Sequence, residues 1–329
     1  MSSPSESDQI FSNVNTVEVE KLDITDIKMI LSGNVPTVLK GCTFGPCLER
    51  WNLEYLSDKL KEETVVIHES NDSELDFLGK NFKYTSCKFE EFVDKLKNPL
   101  CHVYYRSANS NPRTKKPARI EDDLPNLKND LTPPEYIPFK NSDLYYSSAL
   151  RIASSEIQIW THFDSYDNIL CQTVGKKRII LIGPDDTKYL YIDGDKSPVN
   201  NFDDYEECTR IFPLVRHAKL FRACLQPKDA IFIPALWWHN IRTVFGSSDN
   251  DKGCSIGFNI FWKDPIIANS SVYPDGDVYG NKNLIPYEAA VTNLDRALRH
   301  LDKLPDKYKR FHQIMLFQRL KAKLSLNQS

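Results

Sequence analysis

Apolar residues recur with two different periods along this chain, and the change of period divides it into segments. Short apolar runs of the β type fill the stretch from about 145 to 263, among them IQIW, KRIILI, KLFRACL, AIFIPA and IGFNIFW. Pro, Gly and Asp separate these runs, as is typical of an antiparallel sandwich or barrel. The pattern predicts a mainly β domain with helices on its flanks.

The segment before this β region mixes both periods. PTVLKG (36–41) and TVVIH (64–68) are predicted to be strands, and NLEYLSDKL (52–60) is predicted to be a helix. Residues 108–142 are rich in Pro and charge and are predicted to form a loop.

Helical spacing returns in the last 45 residues. One stripe of the first predicted helix is apolar, and it contains Val291, Leu294, Leu298 and Leu301. A second stripe is basic, and it contains Arg296, Arg299 and Lys303. Leu304-Pro305-Asp306 should end this helix and start another.

Composition excludes several classes of protein. The longest apolar runs are too short to cross a bilayer, and the polar, acidic N-terminus lacks the features of a signal peptide. The eight cysteines include no CxxC pair, which argues against a disulfide framework or a zinc finger. We therefore expect an intracellular protein, in the cytoplasm or the nucleus, with no membrane partner.

Charge is unevenly distributed. The formal net charge is −3, but residues 295–323 contain nine Lys or Arg against three Asp, a local charge of +6 that leaves −9 for the rest. RTKKPAR (113–119) is a second, smaller basic cluster. Taken alone, both are most simply explained as solvated surface.

His162 and Asp164 lie two residues apart in the β-type stretch WTHFDSYDNILCQTVGKKRIIL (160–181). Alternate strand residues point to the same face, so both side chains should reach a common target. A satisfied core His–Asp hydrogen bond would explain the pair equally well. His300 and Asp302 have the same spacing but lie in a predicted helix, where positions two apart diverge by about 200°, and we interpret them as a chance pair.

His239 supplies a third group that favours a metal site. It follows the apolar run FIPALWW and lies in an extended segment. Two histidines and one carboxylate on strands form the facial triad of non-haem Fe(II) enzymes, whereas zinc prefers three or four tetrahedral N/S ligands. No other histidine has a strand-borne carboxylate two residues away.

An iron centre that activates O2 needs a two-electron source, and 2-oxoglutarate is the usual one. Its distal carboxylate requires a cation and a hydroxyl group at the floor of the pocket. Lys176 and Lys177 precede a strongly apolar strand, and one of them should turn inward. Both faces of that strand are apolar, so the alternation of side chains along it does not show which of the two lysines points inward.

The order of these motifs resembles the JmjC hydroxylases, which are Fe(II) and 2-oxoglutarate oxygenases built on a double-stranded β-helix. His162-x-Asp164 is followed by a lysine fifteen residues after the His, then by the PALWWH run and by NIFW twenty residues after its His. Within that family the chain is most similar to the tRNA hydroxylases of wybutosine synthesis. The shared stretches are PTVLKG, GPC, YYRS, WTHFD, QTVGKKR, KYLY, FIPALWWHN, FNIFWK, YGNK and LDRALRHLDKLPDKY.

The resemblance implies roles for seven residues. The implied iron ligands are His162, Asp164 and His239. Lys177, rather than Lys176, would bind the distal carboxylate of 2-oxoglutarate, with Tyr104, rather than Tyr105, supplying the hydroxyl. Asn168 and Asn259 would line the same pocket; Asn259 would otherwise be an unexplained polar group in an apolar strand.

The resemblance also implies a domain organisation and a fold. Residues 18–265 would be a double-stranded β-helix catalytic domain with an N-terminal α/β elaboration, and 266–329 a helical segment for dimerisation and RNA contact. The polar, acidic composition of residues 1–17 separately predicts a disordered leader. One departure concerns Lys228-Asp229, where the family usually has Gly-Asp, so the turn there could differ.

The implied substrate is the 3-amino-3-carboxypropyl side chain of a wybutosine precursor beside the anticodon of tRNA(Phe), with O2 as co-reactant. Basic residues of the C-terminal segment would track phosphate. The candidate RNA contacts are Arg296, Arg299, Lys303, Lys307, Lys309 and Arg310. The apolar stripe of the same helices would pair two subunits into a homodimer.

Two other functions are compatible with the same motifs. A JmjC protein hydroxylase or lysyl demethylase would have an identical triad and lysine, although the chain contains no PHD-, Tudor- or zinc-type reader. A cupin-like binding module without catalysis is the third possibility, and the intact triad and lysine argue against it.

Overall fold

The computed structural model describes residues 10–98, 101–140, 142–244 and 253–325. These residues form two compact units. The first contains residues up to 269 together with 275–282, and the second contains 270–274 and 283 onward. Among the described residues, no helix is both long enough and apolar enough to cross a membrane.

Two β-sheets form the framework of the first unit. Strands of the first sheet, in spatial order, are β1 (Phe11–Asn13), β13 (Leu220–Leu225), β11 (Lys176–Ile182), β15 (Trp238–Val244), β9 (Gln158–His162) and β12 (Lys196–Ser197), with β5 (Glu74–Leu75) also pairing with β9. Strands of the second sheet are β2 (Asn15–Glu18), β3 (Thr37–Lys40), β14 (Ala230–Ile233), β10 (Asp167–Val174), β16 (Cys254–Trp262), β8 (Tyr145–Ser154), β7 (His102–Arg106), β4 (Thr64–Ser70) and β6 (Phe82–Lys88).

The centre of each sheet is a set of four antiparallel strands. In the first sheet these are β13, β11, β15 and β9, and in the second they are β14, β10, β16 and β8. Along the chain these strands alternate between the sheets, except that β11 and β13 both lie in the first sheet, as in a double-stranded β-helix. The predicted jelly-roll core is confirmed.

Helices cover the outside of this framework and form the second unit. The first unit contains the α-helices Ile24–Ser32, Cys47–Arg50, Leu53–Leu60, Phe89–Leu96, Ile120–Asp123 and Tyr205–Ile211. It also contains 3-10 helices at Val19–Lys21, Pro112–Thr114, Pro125–Leu127, Pro184–Tyr189 and Pro213–His217. The second unit contains the helices Ile285–Leu301 and Asp306–Ser325, which flank the predicted break at Pro305.

Strand β11 shows how the sequence builds the core. Ile179 and Leu181 pack between the sheets with residues such as Leu170 of β10. Ile180 and Ile182 point the other way and pack into a separate cluster under the segment that follows. Because both faces of β11 are buried, its sequence is apolar without alternation. Lys177 lies on the same face of the strand as Ile179 and Leu181, which pack between the sheets.

The leader and the domain boundary differ from the prediction. Residues 11–13 and 15–18 pair as β1 and β2 with β13 and β3, so the predicted disorder does not extend over residues 10–17. Residues 1–9 lie outside the described residues. Residues 266–269 and 275–282, predicted to belong to the C-terminal segment, are part of the first unit. The carbonyl of Gly280 accepts a hydrogen bond of 2.7 Å from the Ser165 amide, which ties this segment to the β9–β10 loop.

The turn between β13 and β14 keeps a left-handed residue despite the substitution of glycine. Lys228 has φ 73°, a conformation that is costly for residues with a Cβ. Its amide donates to the carbonyl of Gln172, and its ammonium forms an exposed ion pair with Glu49. Lysine in place of glycine therefore puts backbone strain into this turn.

Candidate metal and cosubstrate site

Neighbouring strands bring the two histidines together. His162 is the last residue of β9 and lies directly opposite His239 of β15 in the antiparallel register. The centroids of their rings are 4.3 Å apart. Both side chains point into the space between the two sheets.

Asp164 completes a three-residue cluster. One potential ligand atom from each of His162, Asp164 and His239 lies within 4.8 Å of the others, and among the described residues no other group of His, Cys, Asp or Glu forms such a cluster. His239 Nε2 and Asp164 Oδ2 are 3.6 Å apart. Asp164 lies two residues beyond the end of β9, in the β9–β10 loop, and not on the strand as predicted.

Backbone contacts hold the two imidazole rings and the loop that carries Asp164. Nδ1 of His162 is 2.8 Å from the carbonyl of Trp160, and Nδ1 of His239 is 2.9 Å from that of Trp237. A ring that donates through Nδ1 presents an unprotonated Nε2 to the cluster, as a metal ligand must. The Asp164 carbonyl accepts a hydrogen bond of 2.8 Å from Leu236, which anchors the loop.

Burial dominates the electrostatics of the triad. It lowers the pKa of His162 well below its ordinary value, with His239 as the second cause, and it also lowers the pKa of His239. Burial raises the pKa of Asp164. Neutral imidazoles beside a costly buried carboxylate fit a divalent cation, which would compensate that charge.

Lys177 lies deeper in the same cavity, on β11. Its residue is only 6% exposed, and among the described residues no carboxylate forms an ion pair with its ammonium. Burial, followed by the charge of Arg151, lowers the pKa of Lys177 to about 7. Lys176 is partly exposed and does not line this cavity.

Because residue 257 is a glycine, there is room beside it for the side chain of Lys177. A Cβ at this position would lie 3.1 Å from the Lys177 ammonium and 2.6 Å from the carbonyl of Cys171 on β10. Thr243 is the cross-strand neighbour of Lys177 and lines the same cavity.

The remaining predicted residues line this cavity too. Nδ2 of Asn259 donates a hydrogen bond of 2.9 Å to Oδ1 of Asn168, and Oδ1 of Asn259 is buried with no hydrogen-bond partner among the described residues. Tyr104 points into the cavity and accepts a hydrogen bond from Arg151 through its hydroxyl. Tyr105, its alternative in the sequence, belongs to the apolar core on the other face of β7.

A second chamber of about 160 Å³ opens on the outer side of the triad. Its wall includes the aromatic or heteroaromatic rings of His68, Phe77, Tyr84, Trp160 and Tyr279. Three cationic side chains also face it, those of Arg106, Arg151 and Lys196. His162 and Asp164 border both this outer chamber and the inner cavity.

Residues 25–267 match the cupin-like domain family. A human protein named tRNA wybutosine-synthesizing protein 5 is 38% identical over 84% of this chain and 85% of its own length. The chain belongs to the tRNA wybutosine-synthesizing protein family. The Gallus gallus protein of the same name is 36% identical over 89% of both chains. An Aspergillus oryzae protein named tRNA wybutosine-synthesizing protein 4 is 34% identical over 89% of this chain, which covers 27% of that longer protein.

Sequence reasoning missed two residues of this family member's site. Arg106 and Arg151 lie directly opposite each other on β7 and β8 and both face the outer chamber. Arg151 interrupts SSALRIAS, an otherwise small and apolar strand, and a charge in such a place was a signal that could have been followed.

The candidate RNA contacts lie in the second unit. All lie on, or between, its two helices, and all except the partly buried Lys309 are exposed: Arg296, Arg299, Lys303, Lys307, Lys309 and Arg310. Lys309 forms an ion pair of 2.6 Å with Asp302. His300, of the pair we interpreted as chance, is also exposed on the first helix.

Proposed function

We propose that this protein is an Fe(II)- and 2-oxoglutarate-dependent hydroxylase of a wybutosine-type guanosine beside the anticodon of tRNA(Phe). One observation carries the proposal: a two-histidine, one-carboxylate cluster shares a cavity with a buried ammonium that has no carboxylate partner among the described residues. Such a cavity needs a cation at one end and an anion at the other.

His162, Asp164 and His239 would hold the iron. Their donor set is that of the facial triad, which leaves coordination positions open for other ligands. When bound, iron together with 2-oxoglutarate and O2 supplies the oxidising power for hydroxylation. The protein positions the ligands through its backbone carbonyls and keeps both imidazoles neutral.

Lys177 would pair with the distal carboxylate of 2-oxoglutarate. Tyr104 would supply the hydroxyl, and the unpartnered Oδ1 of Asn259 and its neighbour Asn168 would line the pocket. The ammonium lies in a place where burial disfavours its charge, so an anion would relieve that cost.

The substrate is inferred from the relatives and from the outer chamber. The relatives are named for wybutosine synthesis on tRNA. Aromatic side chains such as Phe77, Tyr84 and Trp160 can stack on a flat base that has left the anticodon loop. The carbon to be hydroxylated would reach past them to the triad, and a tRNA substrate would place the reaction inside the cell.

The helices of the second unit would serve binding and assembly. Their basic residues supply phosphate contacts. No residue of helix Ile285–Leu301 is buried, and large apolar side chains of the next helix are exposed: Tyr308, Phe311, Ile314, Met315, Phe317 and Leu320. Exposed apolar surface on this scale supports pairing with a second copy of the chain.

Metal binding and coupled turnover test the proposal. Anaerobic wild-type protein should bind one Fe(II) per chain, and succinate release should rise when tRNA(Phe) bearing the unhydroxylated precursor is added. Asp164→Ala should lose both, because the remaining two ligands do not hold the metal. His300→Ala is the matched control and should retain both.

Full turnover by Asp164→Ala would contradict the metal assignment. Succinate release that responds to a lysine peptide, unmodified or N-methylated, and not to tRNA would favour a JmjC protein hydroxylase or demethylase instead.

A further inference from the structure

Arg106 is a charged side chain without a counter-ion, among the described residues, in the outer chamber. It is the last residue of β7, and its guanidinium carbon lies 4.9 Å from the centre of the Tyr279 ring. The residue is partly exposed as a whole, but both of its terminal nitrogens are buried and have no hydrogen-bond partner in the described part of the chain. Buried donors of this kind are rare in proteins unless a bound group or an ordered water satisfies them.

The other cations of the chamber are already engaged. Lys196 forms an ion pair with Asp195, which also accepts a hydrogen bond from Asn281. Arg151 donates through one terminal nitrogen to the hydroxyl of Tyr104, although its Nε is buried without a partner among the described residues. Asp164 faces the chamber, but it belongs to the metal cluster. Arg106 is therefore the cation of this wall whose two terminal nitrogens both lack an acceptor among the described residues.

The position of Arg106 makes this lack of an anion costly. It lies directly opposite Arg151 on the neighbouring antiparallel strand. Like charges in that register destabilise a sheet. Burial and then Arg151 lower the pKa of Arg106, which indicates the same unfavourable environment. An oxyanion bound beside the two guanidinium groups would offset both the repulsion and the cost of burial.

We propose that Arg106 binds an oxyanion of the substrate and thereby selects substrates that bring a carboxylate or a phosphate into the outer chamber. A guanidinium is planar and donates two parallel hydrogen bonds to such a group. The Tyr279 ring packs against it. The identity of the substrate rests on the proposed function, which offers two sources: the carboxylate of the 3-amino-3-carboxypropyl side chain and a phosphate of the nucleotide.

Kinetics with tRNA provide the first test. Arg106→Gln keeps a polar side chain of similar length but removes the charge, and it should raise the KM for substrate tRNA by about ten- to hundred-fold. Arg106→Lys, which keeps the charge and loses the planar fork, should fall between it and the wild type. Arg210→Gln changes an exposed arginine on the helix Tyr205–Ile211, outside the chamber, and should leave the KM unchanged.

Two forms of the substrate distinguish the source of the oxyanion. If it is the side-chain carboxylate, wild-type protein should prefer the free acid to its methyl ester, and Arg106→Gln should lose that preference. If it is a phosphate, Arg106→Gln should weaken both forms equally. Either pattern supports the proposal.

A third measurement needs no tRNA and separates this proposal from the function on which it rests. With the inner pocket saturated by 2-oxoglutarate, acetate or inorganic phosphate should raise the unfolding temperature of the wild type by about 2–4 °C over chloride at equal ionic strength. Arg106→Gln should lose that rise. If wild-type protein hydroxylates no tRNA, the proposed function fails and this measurement still decides the role of Arg106. An unchanged KM together with an unchanged response to the anions would overturn the proposal.

Discussion

Lys177 places a positive charge where the surrounding protein disfavours one. Its neighbours on the same face of β11 are Ile179 and Leu181, and Arg151 is close enough to repel it. A lysine in such a place is retained when a ligand supplies the missing anion. We therefore propose that it serves to bind the cosubstrate and not to stabilise the fold.

Replacing this lysine should affect one kinetic constant far more than the others. Lys177→Ala should raise the KM for 2-oxoglutarate by at least about thirty-fold, because a buried carboxylate would lose its cation. Lys176→Ala is the matched control and should change the KM little. Initial rates of succinate formation at varied 2-oxoglutarate measure both. The reverse order of effects would mean that β11 faces the other way.

The pKa of Lys177 predicts a pH dependence. Its pKa is about 7 in the folded protein, below the ordinary value of 10.5, so the side chain is charged below pH 7 and neutral above it. Binding a carboxylate requires the charged form. The KM for 2-oxoglutarate should therefore rise above pH 7, by up to about tenfold per pH unit. A KM that is constant from pH 6 to 9 would contradict this assignment.

The linked effect on stability has a definite sign. Between pH 7 and 10.5 the unfolded chain carries a proton on Lys177 that the folded protein does not. The contribution of this residue to the free energy of unfolding therefore rises with pH across that window. Bound 2-oxoglutarate should remove the effect by restoring the charge.

Single residues of the site were predictable to different degrees. His162, Asp164 and His239 could be found from spacing and chemistry, and the structure brings them together. Whether Lys176 or Lys177 turns inward could not be decided from the pattern, because β11 is buried on both faces. Asn259 was predictable as a polar group in an apolar strand, but its contact with Asn168 depends on tertiary pairing.

At the scale of elements, the inner pocket depends on how closely β10 and β16 approach. At Gly257 of β16, the Cys171 carbonyl and the ammonium of Lys177 lie so close to the backbone that a side chain would not fit. The absence of a side chain at position 257 therefore shapes the pocket as well as the sheet.

Gly257→Ala should couple a loss of stability to a loss of cosubstrate affinity. The added Cβ would lie 2.6 Å from the carbonyl of Cys171, and the resulting strain should lower the free energy of unfolding by about 1–3 kcal/mol. Displacement of Lys177 should raise the KM for 2-oxoglutarate. At Gly183 a Cβ would approach Trp237 no closer than 3.7 Å, so Gly183→Ala is the control and should change stability by at most about 1 kcal/mol. Denaturant unfolding measures both variants. Equal losses in the free energy of unfolding for Gly257→Ala and Gly183→Ala would contradict this explanation.

Elements could be predicted well where a single period dominates. The strands at 37–40 and 64–70, the helix Leu53–Leu60 and the break before Asp306 follow the sequence pattern. The prediction missed the end of β9 at His162, because the pattern of apolar residues continues through Phe163. It also missed the short helix Ile120–Asp123 in the segment predicted to be a loop.

For the whole molecule, the separation of charge is the most informative feature. Residues 295–323 carry +6 in a chain of net charge −3, and their basic side chains are largely exposed. A negatively charged catalytic unit acting on tRNA needs such a region, because phosphate contacts supply most of the non-specific affinity for nucleic acids.

Reversing the charge of Arg296, Arg299 and Lys303 to Glu should weaken tRNA binding. It should also make the slope of log affinity against log salt shallower, by roughly one for each phosphate that is no longer neutralised. Salt titrations of tRNA binding measure both quantities, and light scattering on the same samples reports the oligomeric state. If the slope and the affinity of the variant equalled those of the wild type, these three residues would be solvated surface and would not contact phosphate.

A matched control reverses three exposed cations of the first unit, Lys83, Lys97 and Arg210. It changes the net charge of the protein by the same amount. Its salt slope should remain close to that of the wild type if the phosphate-binding residues are local to the C-terminal helices.

Large-scale organisation was predictable only in outline. The sequence predicted a β core followed by helices, but it placed the boundary at residue 265. Residues 275–282 return to the first unit and supply Tyr279 and Asn281 to the outer chamber. No periodicity marks this segment, because loop contacts such as that of Gly280 with Ser165 hold it in place.

The most direct measurement of the central claim is mass spectrometry of tRNA nucleosides after a reaction under ¹⁸O2. Wild-type protein with Fe(II), 2-oxoglutarate and tRNA(Phe) bearing the precursor should add one labelled oxygen atom to the wybutosine-type nucleoside. Asp164→Ala and reactions without 2-oxoglutarate should add none. An unchanged nucleoside with the active wild type, or an oxygen atom that carries no label, would contradict the account.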